Sequence, residues 1–432
     1  MENSPVQESR RNFISSLGLG MLAAATPGQV FAHGAGGGGG QDAAIYTGPT
    51  DPVQLPKLKD PTEQEDGPLF TPLNPAKRKG YAIVGLGHIA LDQVLPGLVQ
   101  SKNSKPIALV SGDAAKAAKV ADQYGIDPKN IYNYQNFDTI RNNPAIDAVY
   151  IALPNSMHEE YTVRAAKAGK HVLCEKPMSI SVASCQRMID ACKSANRLLM
   201  IAYRIQYEPM NKQMKEWTRA QTYGKIKVIE GFNGQNTGDP NQWRLKKAMA
   251  GGGPMVDVGI YCLNTTRYLL GEEPDWVSAV STCPTNDPRF KEVEESMLFQ
   301  LRFPSGVIAS LGCSYGIHEV RRYRCYGDKG VWYGMEEAFG YGGLKSTFSQ
   351  SKGMWEWPAS PFTGQKQQFA TEIDHFADCI VKNVQPFTPG EEGLQDQRIM
   401  DAIYASAANG APVPITGTGG KLDAFRGTPP QD

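Results

Sequence analysis

The feature that most constrains the fold is a glycine-containing turn between a strand pattern and a helical pattern. Tyr81 to Val84 has the apolar character of a buried strand, and a helical pattern begins at about Ile89. The connecting residues are Gly85, Leu86, Gly87, His88, Ile89 and Ala90. In this dinucleotide fingerprint the first glycine permits a tight turn, the second lets the backbone approach a pyrophosphate, and the small last residue lets helix and strand pack. The sequence therefore predicts a dinucleotide at the start of this helix.

Strand and helix patterns then alternate up to about residue 203. Strand patterns cover Ile107 to Ser111, Asp147 to Leu153, Lys170 to Cys174 and Leu198 to Ala202. Helical patterns cover Asp113 to Tyr124, Glu159 to Ala168 and Val182 to Ala195. Such alternation is typical of α/β folds, and we expect residues 81–203 to form a Rossmann-type doubly wound parallel sheet.

The pattern changes after residue 203, and a chain of 432 residues is long enough for two domains. Strands joined by short turns are expected at Ile226 to Phe232, Val277 to Thr282, Met297 to Phe303, Val307 to Cys313 and Arg321 to Tyr326. Helices are expected near Asp257 to Leu270, Phe369 to Lys382 and Leu394 to Ala408. Residues 304–306 and 328–330 have the composition of hairpin turns. The prediction for residues 204–432 is an α+β domain with a large, mostly antiparallel sheet.

The first 32 residues have the pattern of a twin-arginine export signal. Arg10 and Arg11 precede a short apolar run from Leu17 to Ala25, which is too short to span a bilayer. Residues 30–32 fit a small-residue cleavage site, with residues 23–25 as a second candidate. Residues 33–80 are glycine-rich and then proline-rich, which predicts an extended arm. Two interpretations of the arm stay open, a loose linker and a segment that packs over another surface.

Composition excludes several functional classes. Basic and acidic residues number 44 each, and no basic stripe indicates a nucleic acid or an anionic membrane as partner. The histidines show no metal-ligand spacing, so no metal is expected. The eight cysteines include no C-x-x-C pair and are interpreted as core thiols.

The end of the second strand distinguishes NADP from NAD. In NAD enzymes an acidic residue there usually bonds the ribose 2′-hydroxyl. Here the strand ends at Ser111 and Gly112, with Lys116 one helical turn further on. A hydroxyl, a free backbone N–H and an ammonium suit a 2′-phosphate, so the sequence favours NADP. Asp113 fits this less well and can instead cap the following helix.

Two later strands end at the same sheet edge with polar motifs. The first is Leu153-Pro154-Asn155, followed by His158, for which a structural role and a contact to the nicotinamide ribose stay open. The second is Cys174-Glu175-Lys176-Pro177, in which Pro177 can form a cis turn. A lysine at this position needs a partner, because burying its charge alone is costly. Its charge would depress the pKa of a neighbouring phenol.

A candidate proton-handling pair follows the glycine run at residues 251–253. Asp257 and Tyr261 are four residues apart, so their side chains leave one face of a predicted helix. Alone, such a pair is most often structural. The cofactor loop and Lys176 favour a chemical role, because they supply a cofactor and a group that acidifies the phenol.

Together these motifs resemble the glucose–fructose oxidoreductase family of two-domain sugar dehydrogenases. The resemblance rests on residues 85–87, 153–155, His158, residues 174–177 and residues 251–261. Many members of that family carry a histidine where this chain has Tyr261. The tyrosine, Ser111-Gly112, Tyr134, residues 242–244 and residues 267–274 resemble the glucose–fructose oxidoreductase branch itself.

This resemblance implies a periplasmic enzyme that keeps NADP tightly bound through a ping-pong cycle, in which one sugar is oxidised to its lactone and a second is reduced. It implies that residues 81–203 bind NADP and that residues 204–432 bind sugar and form a dimer or tetramer. The arm of each subunit would reach a neighbouring subunit.

We hypothesise that Tyr261 accepts the proton of the anomeric hydroxyl, Lys176 acidifies Tyr261 and positions the sugar, and Asp257 orients the sugar or Lys176. Further candidates for contact with sugar or nicotinamide are Arg204, Tyr207, Trp243 and Arg244. The alternatives are an NADP-dependent aldose dehydrogenase, an aldose–aldose oxidoreductase, and a sugar-binding protein without turnover.

Overall fold

The structure, a computed structural model, describes residues 73–361, 367–416 and 422–430. The predicted export signal and nearly all of the predicted arm lie outside these ranges. Within the described part, the sequence forms two sheets of six and nine strands with helices packed against them. No helix in that part combines the length and hydropathy needed to cross a bilayer.

The first sheet is entirely parallel and confirms the expected doubly wound architecture. Its strands lie in the order β3-β2-β1-β4-β5-β6. They are β1 (Lys79–Val84), β2 (Ser104–Val110), β3 (Ile131–Tyr132), β4 (Ala148–Ile151), β5 (His171–Glu175) and β6 (Leu199–Ala202). The connecting helices are α1 (Leu95–Gln100), α2 (Ala114–Tyr124), α3 (His158–Lys167) and α4 (Val182–Ser194). A π-helical turn, Ala90–Val94, leads into α1.

Strand order places the cofactor motif at the centre of this sheet. The apolar strand β1 pairs with β2 on one side and with β4 on the other, so the order of the strands reverses beside it. Ligands of such sheets lie beyond the carboxyl ends of the strands at this reversal. The residues that follow β1, β2, β4 and β5 therefore meet at one edge.

The second sheet has the order β14-β13-β12-β11-β7-β10-β9-β8-β15. All neighbouring pairs are antiparallel except β7 and β10, which confirms a mostly antiparallel sheet. The strands are β7 (Ile226–Asn236), β8 (Trp276–Thr282), β9 (Ser296–Arg302), β10 (Ile308–Ser314), β11 (Gly316–Gly327), β12 (Val331–Met335), β13 (Ser346–Lys352), β14 (Trp355–Ala359) and β15 (Val413–Pro414). The two predicted hairpin turns join β9 to β10 and β11 to β12.

Further helices pack either on one face of this sheet or against the first domain. They are α5 (Pro209–Arg219), α6 (Lys247–Ala250), α7 (Ile260–Leu270), α8 (Gln368–Lys382) and α9 (Gly390–Asn409). Helix α7 packs on β7 and β10 and α9 packs on β8, whereas α8 packs on α1 and β2 of the first domain. Apolar side chains remain exposed on the sheet, including Val228, Val280, Leu298 and Ile308.

Candidate active site

The two domains enclose a cleft of about 800 Å³ at the carboxyl edge of the first sheet. Most of the predicted site residues line it. From the first domain these are Gly85, Leu86, Gly87, His88, Ile89, Ser111, Gly112, Lys116, Tyr134, Leu153, Pro154, Asn155, Glu175 and Lys176. From the second domain they are Arg204, Trp243, Arg244, Asp257 and Tyr261. The structure thus brings together motifs that are far apart in sequence.

The glycine turn has the geometry that a dinucleotide requires. Gly85 has φ +93, and a Cβ there would lie 2.5 Å from the carbonyl oxygen of Ala152, so only glycine fits without strain. A Cβ on Gly87 would meet no atom within 4 Å. Because Gly87 lines the cleft, a side chain there would fill space that the pyrophosphate needs. Ala90 is fully buried beneath the turn and does not line the cleft.

The end of β2 fits the 2′-phosphate of NADP. The Ser111 hydroxyl lies at the cleft, where it accepts the N–H of Asp113 at 3.1 Å. Asp113 caps α2 by accepting the N–H of Lys116 at 2.9 Å, so its carboxylate serves the helix. The Lys116 side chain stays exposed at the cleft wall, and Tyr134 packs beside Gly112. The donors expected for a 2′-phosphate are therefore in place.

His158 lies behind the cofactor loops and does not line the cleft. It is only 1% exposed, and its ring nitrogens are 2.9 Å from the Leu153 carbonyl oxygen and 3.0 Å from that of Pro177. Burial lowers the pKa of this imidazole, while those carbonyls act in the opposite direction. Of the two interpretations left open by the sequence, this geometry fits the structural one, in which His158 ties together two loops that carry cofactor-site residues.

Lys176 is held by Asp257 at the end of β5. Its ammonium donates to the Asp257 backbone oxygen at 2.8 Å and to Oδ1 at 3.1 Å, and it lies 4.7 Å from the centre of the Tyr261 ring. Burial alone would lower the pKa of Lys176, but Tyr261 and Asp257 raise it above its usual range. Lys176 is therefore a fixed cation, and the peptide bond to Pro177 is cis, as the sequence allowed.

Asp257 is surrounded by donors and acts as a fixed anion. Its Oδ2 accepts from the Tyr315 hydroxyl at 2.6 Å and from Arg244 Nε at 3.1 Å. Burial would raise the pKa of this carboxyl, but Lys176 and Arg244 hold it well below its usual range. The carboxylate therefore orients Lys176 and does not take up a proton at neutral pH.

Tyr261 lies in the first turn of α7, after a π-helical turn, Met255–Gly259, that carries Asp257. The two residues were expected on one face of a single helix, and the π-turn still directs both toward the cleft. Arg204 Nη2 donates to the Tyr261 hydroxyl at 3.1 Å. The phenol of Tyr261 thus faces the cleft with one guanidinium at its oxygen and one ammonium over its ring.

Tyr207 does not reach the cleft, so the expected contact with sugar or nicotinamide is not found. It is 1% exposed, and its hydroxyl pairs with Thr388 Oγ1 at 2.8 Å. The short helical turn Arg204–Tyr207 directs Arg204 toward Tyr261 and Tyr207 into the core, so two residues of one motif have different surroundings.

Several cleft residues were not anticipated from the sequence. They are Asn233, Gln235, Thr237, Arg321, Phe339 and Tyr341. The first three alternate along and just after β7, where a polar residue at every second position indicates one face of a strand. That signal was missed because the strand was expected to end at Phe232.

Comparisons with known proteins agree with this architecture. Residues 79–203 match the family described as "Oxidoreductase family, NAD-binding Rossmann fold", and residues 211–333 match "GFO/IDH/MocA C-terminal domain". D-xylose 1-dehydrogenase [NADP(+)] of Haloarcula marismortui is 31% identical over 333 residues, which is 76% of this chain and 90% of that protein. D-xylose 1-dehydrogenase (NADP(+)) 2 of Haloferax volcanii is 29% identical, over 78% of this chain and 99% of that protein.

Among solved structures, an aldose–aldose oxidoreductase from Caulobacter crescentus, complexed with glycerol, superposes with a TM-score of 0.74. It is 42% identical, and the match covers 78% of this chain and 99% of that chain.

Proposed function

The chain belongs to the GFO/IDH/MocA oxidoreductase family, and we propose that it transfers a hydride from an aldose to a second sugar on NADP that stays bound between the two steps. It is an NADP-dependent oxidoreductase acting on the CH–OH group of sugars. The observation that carries the proposal is the cluster of Lys176, Asp257 and Tyr261 at the nicotinamide end of the cleft. A module that only binds sugar has no need of a phenol placed between two fixed cations.

The residues of the cleft supply binding and proton transfer. NADP, when bound, takes up a hydride from one sugar carbon and returns it to another. The Tyr261 oxygen accepts the proton of the anomeric hydroxyl as the first sugar becomes a lactone. The same oxygen returns this proton to the carbonyl oxygen of the second sugar, so the cycle releases no net proton. Lys176 holds the sugar hydroxyl beside Tyr261, and Asp257 fixes the position of Lys176.

We further propose that the enzyme acts in the periplasm. The support is the order of paired arginines, short apolar run and small-residue site within residues 1–32. Free NADP is not expected outside the cytoplasm, so an exported enzyme of this kind needs a cofactor that it retains. A replacement of Arg10 and Arg11 by lysine should leave the protein in the cytoplasm, which cell fractionation would show. Equal periplasmic levels of parent and variant would contradict export by this route.

The central test uses protein purified and extensively dialysed without added NADP. Given glucose and fructose together, it should form sorbitol and gluconate or its lactone in equal amounts, and its absorbance should show retained nicotinamide. The Tyr261→Phe protein should retain NADP but lose at least about 10²-fold in the rate at which glucose reduces it. An unchanged rate would remove Tyr261 from the proton step.

The names of two relatives favour a specific second candidate, an NADP-dependent aldose dehydrogenase with an exchangeable cofactor. That enzyme would lose nicotinamide on dialysis, reduce added NADP stoichiometrically with aldose, and form no alditol. An aldose–aldose exchange, favoured by the name of the Caulobacter protein, would give an alditol from an aldose as acceptor in the dialysed protein.

A further inference from the structure

The cation in direct contact with the Tyr261 oxygen is Arg204. Its side chain is buried, with 4% of the residue exposed, and Nη2 donates to the Tyr261 hydroxyl at 3.1 Å. Lys176, by contrast, directs its ammonium at two oxygens of Asp257 and lies over the face of the Tyr261 ring. The group that is hydrogen-bonded to the phenol oxygen is therefore Arg204, whereas Lys176 interacts with Tyr261 through its charge and over its ring.

Arg204 is held from the opposite side by the segment after β12 and by the first residue of α8. Nη1 donates to Gln368 Oε1 at 2.5 Å and to the Gly340 carbonyl at 3.1 Å, and Nη2 donates to the Phe339 carbonyl at 2.7 Å. Gln368 also donates to the Gly340 carbonyl at 3.1 Å, which fixes the amide. The guanidinium is thus held in one position by neutral acceptors.

Among the described residues, no carboxylate is hydrogen-bonded to Arg204, and Tyr261 is its one titratable hydrogen-bond partner. Burial acts to lower the pKa of the guanidinium, but Tyr261 and then Tyr341 raise it above its usual value. A buried cation without a paired anion favours the ionised form of a phenol that it touches.

The other charged groups around Tyr261 do not cancel this effect. Asp257 is neutralised by Lys176 and Arg244. Burial raises the pKa of the Glu175 carboxyl. Burial raises the pKa of the Glu372 carboxyl well above its usual range, and Arg204 is a charge neighbour of that group. Tyr341, whose ring lies 4.5 Å from the Arg204 guanidinium, has its pKa raised by burial to about 12 and is neutral. Even with Glu175 ionised, the three cations Arg204, Lys176 and Arg244 outnumber the carboxylates of Asp257 and Glu175, so the surroundings of the phenol are net positive.

We propose that Arg204 is a positioning residue that holds the Tyr261 oxygen and stabilises its phenolate form, with Gln368 and the carbonyls of Phe339 and Gly340 fixing the guanidinium. This inference rests on the proposed role of Tyr261 as proton acceptor. Lys176 is then left to bind the sugar hydroxyl and Asp257. When the sugar hydroxyl loses its proton, the Tyr261 phenolate receives it and becomes a neutral phenol. Arg204 keeps its hydrogen bond to the phenol oxygen in this form.

The first test measures the pH dependence of the reduction of enzyme-bound NADP by aldose in a single turnover, with aldose in excess over the enzyme. Arg204→Gln should move the pH of half-maximal rate upward by about one to two units, with a rate at high pH near that of the parent. Arg204→Lys should give a smaller upward shift, because an ammonium keeps the charge but not the forked contacts. Gln368→Leu should shift the profile in the same direction. The matched control, Arg187→Gln, removes an exposed ion pair and should leave the profile unchanged.

A second measurement does not depend on activity. The ultraviolet absorbance of phenolate is titrated in two proteins, the Tyr341→Phe variant and the double variant that also carries Tyr261→Phe. The difference between the two titrations is the ionisation step of Tyr261. Adding Arg204→Gln should move this step to higher pH, and an unmoved step would overturn the proposal. A rate that falls equally at every pH would also overturn it, since a purely structural role predicts that result. If no aldose reduces NADP in the parent, the proposed function fails while the titration still decides the role of Arg204.

Discussion

At the scale of single residues, Asp257 organises the cleft because one carboxylate binds three donors. Lys176, Arg244 and the Tyr315 hydroxyl each reach it within 3.1 Å. Lys176 donates to two oxygens of Asp257 and lies over the ring of Tyr261. The two cations therefore have separate contacts, Lys176 with Asp257 and Arg204 with the Tyr261 hydroxyl.

We predict that Asp257→Asn lowers the rate of NADP reduction by aldose by about 10²–10³-fold, because Lys176 and Arg244 lose their counter-ion and Lys176 its fixed position. NADP affinity should change little, since the glycine turn and the Ser111 end of β2 do not contact Asp257. Single-turnover kinetics and cofactor titration measure the two effects. Tyr315→Phe is the matched control, because it removes one hydrogen bond to the same carboxylate and keeps its charge. A similar loss of rate in this control would show that geometry at Asp257, not charge, is decisive.

Local motifs made part of this site predictable. The glycine turn, the Ser111 strand end and Lys176 each follow a parallel strand, so their place at one sheet edge follows from fold class alone. The side-chain partners of Arg204 are Tyr261 and Gln368, which lie 57 and 164 residues away in sequence. No spacing along the chain indicates such contacts, which is why Arg204 was expected only as a ligand contact and Tyr207 was expected at the cleft.

At the scale of elements, helix α8 links the cleft to the core. Its first residue, Gln368, binds Arg204, and two turns later His375 packs on the ring of Tyr207 with centroids 5.3 Å apart. His375 Nε2 accepts the backbone N–H of Phe387 at 3.0 Å, so this nitrogen carries no proton. Burial, and then the charges of Lys382 and Lys212, lower the pKa of His375 to about 4.

We predict that this histidine makes stability depend on pH. Because its pKa is about 4 in the folded chain and about 6.5 in the unfolded chain, the unfolded chain binds the proton first as pH falls. The free energy of unfolding should therefore decrease from pH 6.5 toward pH 4, by about 2 kcal/mol between pH 7 and pH 5. Chemical denaturation at a series of pH values measures this. Burial lowers the pKa of His171 to about 4 as well, so that histidine contributes to the same pH range. His375→Gln can accept the same N–H without titrating, so it should remove only the share of His375, about 2 kcal/mol between pH 7 and pH 5. An unchanged slope would contradict the assignment.

The sequence predicted helices and strands correctly where one buried face spaces the apolar residues at a regular interval. The missed strand β14 is exposed at every residue, and β13 is mostly polar, so neither carries the alternation that marks a half-buried strand. Helix α5 was also missed, although it carries readable signals. Glu208 caps it, Pro209 occupies its first position, and the buried Met210 and Met214 are spaced by one turn.

At the scale of the whole molecule, a buried charge cluster connects helices α7 and α9 of the second domain to its carboxyl-terminal segment. Arg267 pairs with Glu273 at 2.7 Å and also with Asp396 and Glu392, all fully buried. Arg426 pairs with Glu392 at 2.6 Å and packs on the ring of Phe387. Helices α7 and α9 and the terminal segment are thus held through one set of charges.

We predict that Arg426→Met destabilises the protein by about 3–5 kcal/mol, because it leaves the Glu392 carboxylate buried with less compensation. Denaturant titration measures the loss. Arg302→Met, which breaks an exposed pair with Asp275, is the control and should cost about 0–1 kcal/mol. Adding Glu392→Gln to Arg426→Met should recover part of the stability. A loss within the range of the exposed control would mean that the terminal segment is not anchored by this pair.

The uncovered face of the nine-stranded sheet supports the proposal that the protein is a homo-oligomer. Val280 lies opposite Leu298, and Ile308 lies opposite Val228, so their side chains form adjacent pairs on one face. They are 62%, 52%, 49% and 39% exposed, respectively. The two pairs are four residues apart along β9 and β10, and the exposed Ser310 and Gln300 lie between them on the same face. Paired exposed apolar side chains on one sheet face support an interaction surface, because single exposed apolar residues are common but grouped ones promote association.

We therefore predict that Leu298→Glu combined with Ile308→Glu reduces the molar mass in solution to that of one chain, because two buried carboxylates would lack partners in the interface. Size-exclusion chromatography with light scattering measures the mass. Val99→Glu changes an equally exposed apolar residue of α1, away from this sheet, and should leave the mass of the parent unchanged. If the parent is itself monomeric, or if the double variant keeps the mass of the parent, this face is not the interface. If single-turnover activity survives in the monomeric variant, each cleft is complete within one chain, and association serves stability or cofactor retention.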